Sequence, residues 1–188
     1  MVASITKSQL SLNEFLALPE TEPASEYIDG EIYQKPMPQV KHSMIQTDLV
    51  PAINQIARPQ KLAFAFTELR CTFANRSIVP DIAVFEWAHL PIDANGDPLN
   101  KVEIAPDWII EILSPDQSTT KVINKILFSI KHGTKLGWLI DSDDKSVMIF
   151  QPNQLPEIKY NTERLPVLTV LENWEISAAD IFAWLSFK

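Results

Sequence analysis

The sequence predicts an α/β fold, a mixed β-sheet flanked by helices, and three observations lead there. Apolar strand-like runs on either side of a helix-spaced segment after Trp108 give the order strand, helix, strand, which implies a crossover unit. Several short strand-like runs precede it, one pair of them joined by a tight-turn dipeptide. The 188 residues, 46% of them hydrophobic, suit one globular domain over residues 1–188, and no repeat, low-complexity tract or linker divides them.

Each element has its own signal. Ser11-Leu12-Asn13-Glu14 is a capping box, opening a short helix that runs to about Leu18 and ends at Pro19. Asp29-Gly30 between two alternating arms marks a two-residue hairpin, because Gly tolerates positive φ. Helical spacing spans residues 42–57 through Met44, Ile45, Leu49, Ile53 and Ile56, with a kink expected at Pro51. His42, at its start, reads as a capping or surface residue rather than a ligand. Strands are expected at residues 62–66, 69–74, 78–85 and 108–113, with Cys71 in the core and a loop over 90–106. In residues 121–130, Val122, Ile123, Ile126, Leu127 and Ile130 form one helical stripe with Lys125 on its flank, and Gly133 caps the end. Residues 136–140 read as a buried strand and 146–151 as its hairpin partner. Ser177-Ala178-Ala179-Asp180 opens a last helix carrying Ile181, Phe182, Trp184 and Leu185.

The chemistry concentrates where acids interrupt apolar runs, in residues 78–85 and 105–115. An ionised carboxylate among Ile, Val and Trp is costly unless a cation meets it, and a divalent ion shared by two strands would do so. Alternation puts Asp107, Ile109, Glu111 and Leu113 on one face, opposed by Trp108, Ile110 and Ile112. At ~3.3 Å per residue, Asp107 and Glu111 lie roughly 13 Å apart, too far for one cation. The partner of Glu111 must come from another strand, and Asp81 is the best placed. An Asp after a Pro also caps turns, which leaves a simpler reading open for Asp81 and Asp107. Lys125 can lay its stem along the protein and turn its ammonium toward a cleft or toward water.

The order Pro80-Asp81, then Glu111 in an apolar strand closed by Leu113-Ser114-Pro115, then Lys125 on a helix, resembles the Uma-type family of restriction endonucleases, a branch of the PD-(D/E)XK nuclease superfamily. Its most specific piece is the run from Pro106 through Glu111 to Pro115, with Gly137-Trp138-Leu139-Ile140-Asp141 after it and Asp29-Gly30-Glu31 before it. The superfamily's usual pattern has a Lys two residues after the Glu, where this chain has Leu113. The family resembled carries that Lys on the next helix, and Lys125 matches. The resemblance implies a restriction-endonuclease-like fold and a metal-dependent endonuclease that hydrolyses DNA phosphodiester bonds. It implies Asp81, Glu111 and Lys125 as catalytic, with Glu26 an auxiliary acid beside the metal. Mg2+, or alternatively Mn2+, would be held by Asp81, Glu111 and the backbone carbonyl of Ile112.

Composition sets limits. A net charge of −8 and a pI near 4.9 argue against a general nucleic-acid binder, since the basic residues, Arg58, Lys61, Arg70, Arg76 and Lys121 among them, form no stripe in the sequence. DNA binding is therefore expected to be weak and salt-dependent, or to need a second subunit, and a homodimer through the aromatic C-terminal helix is expected. The acidic balance and Leu113 also support an alternative, a non-catalytic binding or dimerisation module that keeps the nuclease scaffold. No run approaches the ~20 apolar residues of a membrane span, the N-terminus lacks a secretory h-region, and a lone cysteine suits the reducing cytoplasm. His42, His89 and His132 lack the spacing of a zinc helix, the four glycines form no phosphate loop, and Ser114 has no Gly-flanked elbow. Asp93-Ala94-Asn95-Gly96-Asp97 reads as a surface turn.

Overall fold

The computed structural model describes residues 10–115 and 117–187; the stretch read for an h-region lies mostly outside them. Asp29 and Gly30 both take positive φ, 53° and 89°, and join β1 (Ser25–Ile28) to β2 (Glu31–Gln34) as the dipeptide predicts. The register sets Glu26 opposite Tyr33 and Ser25 opposite Gln34. Ser11 and Glu14 complete their capping box on α1 (Leu12–Leu16), and α2 (Val40–Ala57) continues as one helix through Pro51.

Residues 78–85, expected as one strand, are two. β5 (Arg76–Ile78) pairs with β1 and with β4 (Cys71–Phe73), whereas β6 (Ile82–Glu86) pairs with β3 (Ala63–Thr67) and with β7 (Trp108–Ile112). Between them Val79-Pro80-Asp81 passes from one sheet to the other, at a residue with no N–H to continue a ladder. The mixed sheet therefore has a second, smaller companion. The small sheet has the order β2-β1-β5-β4, and in the large one β10 (Glu157–Tyr160), β9 (Ser146–Phe150) and β8 (Leu136–Asp141) precede β7, β6 and β3.

In the large sheet β7 and β8 (Leu136–Asp141) are parallel, joined by the crossover helix α3 (Thr119–Lys131). β9 (Ser146–Phe150) and β10 (Glu157–Tyr160) follow as antiparallel neighbours. β10 is not among the strands expected from the sequence: Glu157-Ile158-Lys159-Tyr160 alternates over only four residues and lies at an exposed edge. The last helix, α4 (Ala178–Ala183), starts with the expected capping box at Ser177 and Asp180.

Strand alternation divides the core in two. Trp108, Ile110 and Ile112 pack with Ile45, Leu49 and Ile53 of α2 and with Trp138, whose ring meets Trp108 edge-on at 4.6 Å. Ile109 points to the opposite face and packs with Phe85, Val122 and Ile126 under α3, where Cys71 is also buried and its thiol pushed up to about 12 by that burial. The buried face of α3 is rotated from the apolar stripe: Val122, Lys125, Ile126 and Ser129 are inside, while Leu127 is 44% exposed. Gly137 lets the helix approach, because a β-carbon there would collide with the Ile126 side chain and crowd Phe150.

Candidate active site

The antiparallel register Ile82 to Ile110 brings Asp81, just before β6, level with Glu111 on β7. β1 supplies Glu26 and α3 supplies Lys125. The structure gathers all four predicted side chains into one buried cluster, with exposures of 6% for Glu26, 2% for Asp81, 1% for Glu111 and 4% for Lys125. Lys125 Nζ donates to Glu26 Oε1 at 2.9 Å and stands 3.0 Å from Glu111 Oε2. Of the two orientations open to Lys125, toward a cleft or toward water, the inward one is observed.

The carboxylates differ in how they are satisfied. Asp81 Oδ2 accepts from the Ile112 N–H at 2.7 Å, and Oδ1 accepts from Lys35 Nζ at 2.6 Å. Burial works to raise its pKa, but Lys35, His42, Lys125 and the Ile112 amide outweigh it and hold Asp81 below the usual carboxylate range. Glu26 Oε1 accepts from the Val79 N–H at 2.8 Å as well as from Lys125. Glu111 accepts no aligned hydrogen bond on either oxygen, although Lys125 lies within ion-pair distance. Its burial, aided by Asp81 and Glu26 and opposed by Lys125 and Lys35, pushes its pKa up to about 8. Lys125 shows the mirror effect: burial disfavours its charge, and Glu111, Glu26 and Asp81 together hold it protonated.

Sequence reasoning missed two residues here. His42 neither caps α2 nor faces solvent, because the helix begins at Val40 and turns His42 onto the face it shares with Ile45, Leu49 and Ile53. Its Nδ1 lies 3.3 Å from Ser114 Oγ, and its buried Nε2, without a hydrogen-bond partner, lies 3.5 Å from Asp81 Oδ1. Lys35, one residue past β2, donates to the Val79 carbonyl at 3.0 Å as well as to Asp81. Gln46 of α2 donates to the Asp81 carbonyl, fixing the backbone at the sheet switch.

Asp107, at the other end of β7, belongs to a separate group. It accepts from the Glu86 N–H at 2.8 Å, lies 2.9 Å from His89 Nδ1, and pairs with Lys135 at 3.1 Å, while Lys135 also meets Glu86 at 2.7 Å. Among the described residues, Glu86, His89 and Asp107 alone offer three such ligand atoms within 4.8 Å of one another. The Lys135 ammonium already supplies a cation there. The Asp93 segment is the surface turn expected, closed by the Ile92–Pro98 bridge and by Asp93 accepting from the Asn95 and Asp97 amides.

A family model described as Putative restriction endonuclease, Uma2, matches residues 12–179. The chain belongs to this family. It is also similar to a protein from Anabaena variabilis ATCC 29413 whose crystal structure is described as that of a putative nuclease belonging to DUF820. The two are 53% identical and superpose with a TM-score of 0.92, over 94% of this chain and 99% of that one. None of the curated proteins matches. The restriction-endonuclease-like mixed sheet with flanking helices is thereby established for this Uma2 chain.

Among the described residues, no helix is long and apolar enough to cross a membrane.

Proposed function

We propose that this Uma2 chain is a metal-dependent endodeoxyribonuclease that hydrolyses phosphodiester bonds at the Asp81, Glu111, Lys125 and Glu26 cluster. The observation that carries the reading is Glu111: a carboxylate 1% exposed, with neither oxygen hydrogen-bonded, beside a second carboxylate, Asp81, at the mouth of the adjoining strand. Such a group is expensive to keep without a ligand that requires it. Two hard oxygen donors brought together from neighbouring segments suit Mg2+, which binds through one or two carboxylates and keeps part of its hydration. Mn2+ has the same ligand preference.

Asp81, Glu111 and the Ile112 carbonyl would hold the ion. When bound, a divalent metal supplies a lowered water pKa and polarisation of the scissile phosphate. The remaining roles fall to the protein. Lys125, held protonated between Glu26 and Glu111, offsets the charge that develops on the phosphorus oxygens and orients the attacking water, so no covalent enzyme intermediate is needed. Glu26 keeps the Lys125 ammonium in place through its own anchor on the Val79 amide. Lys35 fixes Asp81 and presents a second positive group at the same mouth.

Plasmid nicking in Mg2+ tests the reading. Asp81→Asn and Glu111→Gln should each abolish cutting while circular dichroism and melting show an intact fold. Nicking by both variants at the parental rate would end the proposal. The acidic surface supports a second reading, a non-catalytic module on the same scaffold, which predicts calorimetric Mg2+ binding without any cutting. A homodimer in a cytoplasmic setting completes the proposal. Trp174, Phe182 and Trp184 lie partly buried against the large core cluster, and sedimentation at low concentration would expose a stable monomer.

A further inference from the structure

A groove of about 880 Å3 runs between the β1–β2 hairpin and α3, and its polarity runs against that of the chain. Among the described residues, Lys35, Arg76, Lys121, Lys125 and Lys131 line it against two carboxylates, Glu26 and Asp29, in a protein with 24 acidic and 16 basic residues. Sequence order hid this concentration, because the five cations come from the hairpin end, the β5 start and three turns of one helix. Along α3, Lys121, Lys125 and Lys131 fall on the groove side over ten residues, ~15 Å at 1.5 Å per residue.

Three of the cations have their charge committed. Lys35 and Lys125 pair with the buried carboxylates, and Arg76 forms a two-pronged pair with Asp29 while lying 4.0 Å over the Phe128 ring. Lys121 and Lys131 are exposed and form no ion pair among the described residues; Lys121 rests 4.5 Å over the Tyr33 ring. Glu26, Lys35 and Lys125 form the inner end of the groove, and Asp81 and Glu111 lie beyond these lysines without lining it.

We infer that this groove binds a single strand of nucleic acid, its phosphates on Lys121 and Lys131, so that the strand is led into the carboxylate cluster at Lys125. The inference rests on the hydrolytic reading given above and names its substrate form. Depth argues for one strand. The carboxylates stand 1–2% exposed past Lys35 and Lys125, so a phosphate must leave the groove floor to reach them, which a flexible strand can do and a rigid duplex held off by the two walls cannot. Fifteen ångströms of helix spans roughly four nucleotides if the strand stays stacked at the ~3.4 Å rise of one duplex strand, and fewer if it is extended. Tyr33 and Phe128 in the walls each hold a cation over a ring face, Lys121 and Arg76, which keeps the positive groups ranged along the groove.

The test is anisotropy of labelled oligonucleotides on the intact chain in EDTA, where cutting does not interfere. The parent should bind a single strand more tightly than the same sequence as a duplex. Lys121→Ala with Lys131→Ala should flatten the slope of log K against log salt by about 1.4, at ~0.7 for each phosphate left without its lysine, equally for different sequences. Lys61→Ala with Lys145→Ala, two exposed cations outside the groove, should leave the slope at the parental value. A parental slope in the groove variant, or tighter binding of the duplex, overturns the inference. Cutting with no groove effect would leave the nuclease reading standing without it, and groove-dependent binding without cutting would do the reverse.

Discussion

β7 carries a buried carboxylate at each end of the same strand face, and the two are treated in opposite ways. At Asp107 the charge is answered on several sides, by the Glu86 amide, by His89 and by Lys135, and His89 and Lys135 are each nearly half exposed. At Glu111 the opposing charges are Lys125 and Lys35, and neither oxygen accepts an aligned hydrogen bond. One carboxylate locks a loop to a strand. The other is buried with its oxygens unsatisfied, a state that folding alone does not favour and that the proposed metal role would explain.

The largest contrast should come from removing the lysine at each end. Lys125→Met leaves Glu26 and Glu111 buried without their nearest cation and should cost about 3–5 kcal/mol in urea unfolding, whereas Lys135→Met, which removes a half-exposed ammonium and leaves Asp107 its Glu86 amide and His89, should cost only about 1 kcal/mol. Equal losses would erase the distinction between the two ends.

The next effect is a pH dependence peculiar to Glu111. Its pKa in the folded chain, about 8, lies above its ordinary value of 4.5, so the folded state holds the proton more tightly. No penalty exists below about pH 4.5, and stability is lost as pH climbs from there through 8. Measured against Glu111→Gln, the metal-free parent should lose on the order of a few kcal/mol over that window, and saturating Mg2+ should remove the loss. Parallel curves for the two proteins would show that Glu111 ionises without hindrance. Asp107→Ala, which strands the Glu86 amide, should cost about 1–3 kcal/mol by thermal unfolding and leave the Mg2+ response intact. A lost Mg2+ response would move the metal to that end.

Much of this site is legible in the sequence for definite reasons. Glu111 stands out because alternation places it inside an apolar strand, and Asp81 follows as the acid best placed to meet it. The hairpin dipeptide also contains an unread signal: with Glu26 opposite Tyr33, the ladder sets Ala24 beside Lys35, making Glu26 and Lys35 diagonal neighbours on one face. Lys35 was missed because it follows the strand and precedes Pro36, where no periodicity speaks for its burial. His42 was missed because the helix start was placed two residues late, and its facing followed from that. The rotation of α3 was hidden for a physical reason: apolar spacing favours a face that includes Leu127, but two carboxylates draw Lys125 inward and expose Leu127 instead. Pro80 carried a signal for the strand break in 78–85, which the apolar character of the run outweighed.

In the nuclease pattern that the sequence resembles, the lysine and the glutamate share a strand, and peptide geometry fixes the gap between them. Here the lysine hangs from a helix, so that gap depends on how low α3 rides over β8, and Gly137 sets the height. A single methyl at that position would jack the helix upward beneath Ile126 and draw the ammonium off its anchors. The spacing of the chemistry is thus governed by an atom the chain leaves out.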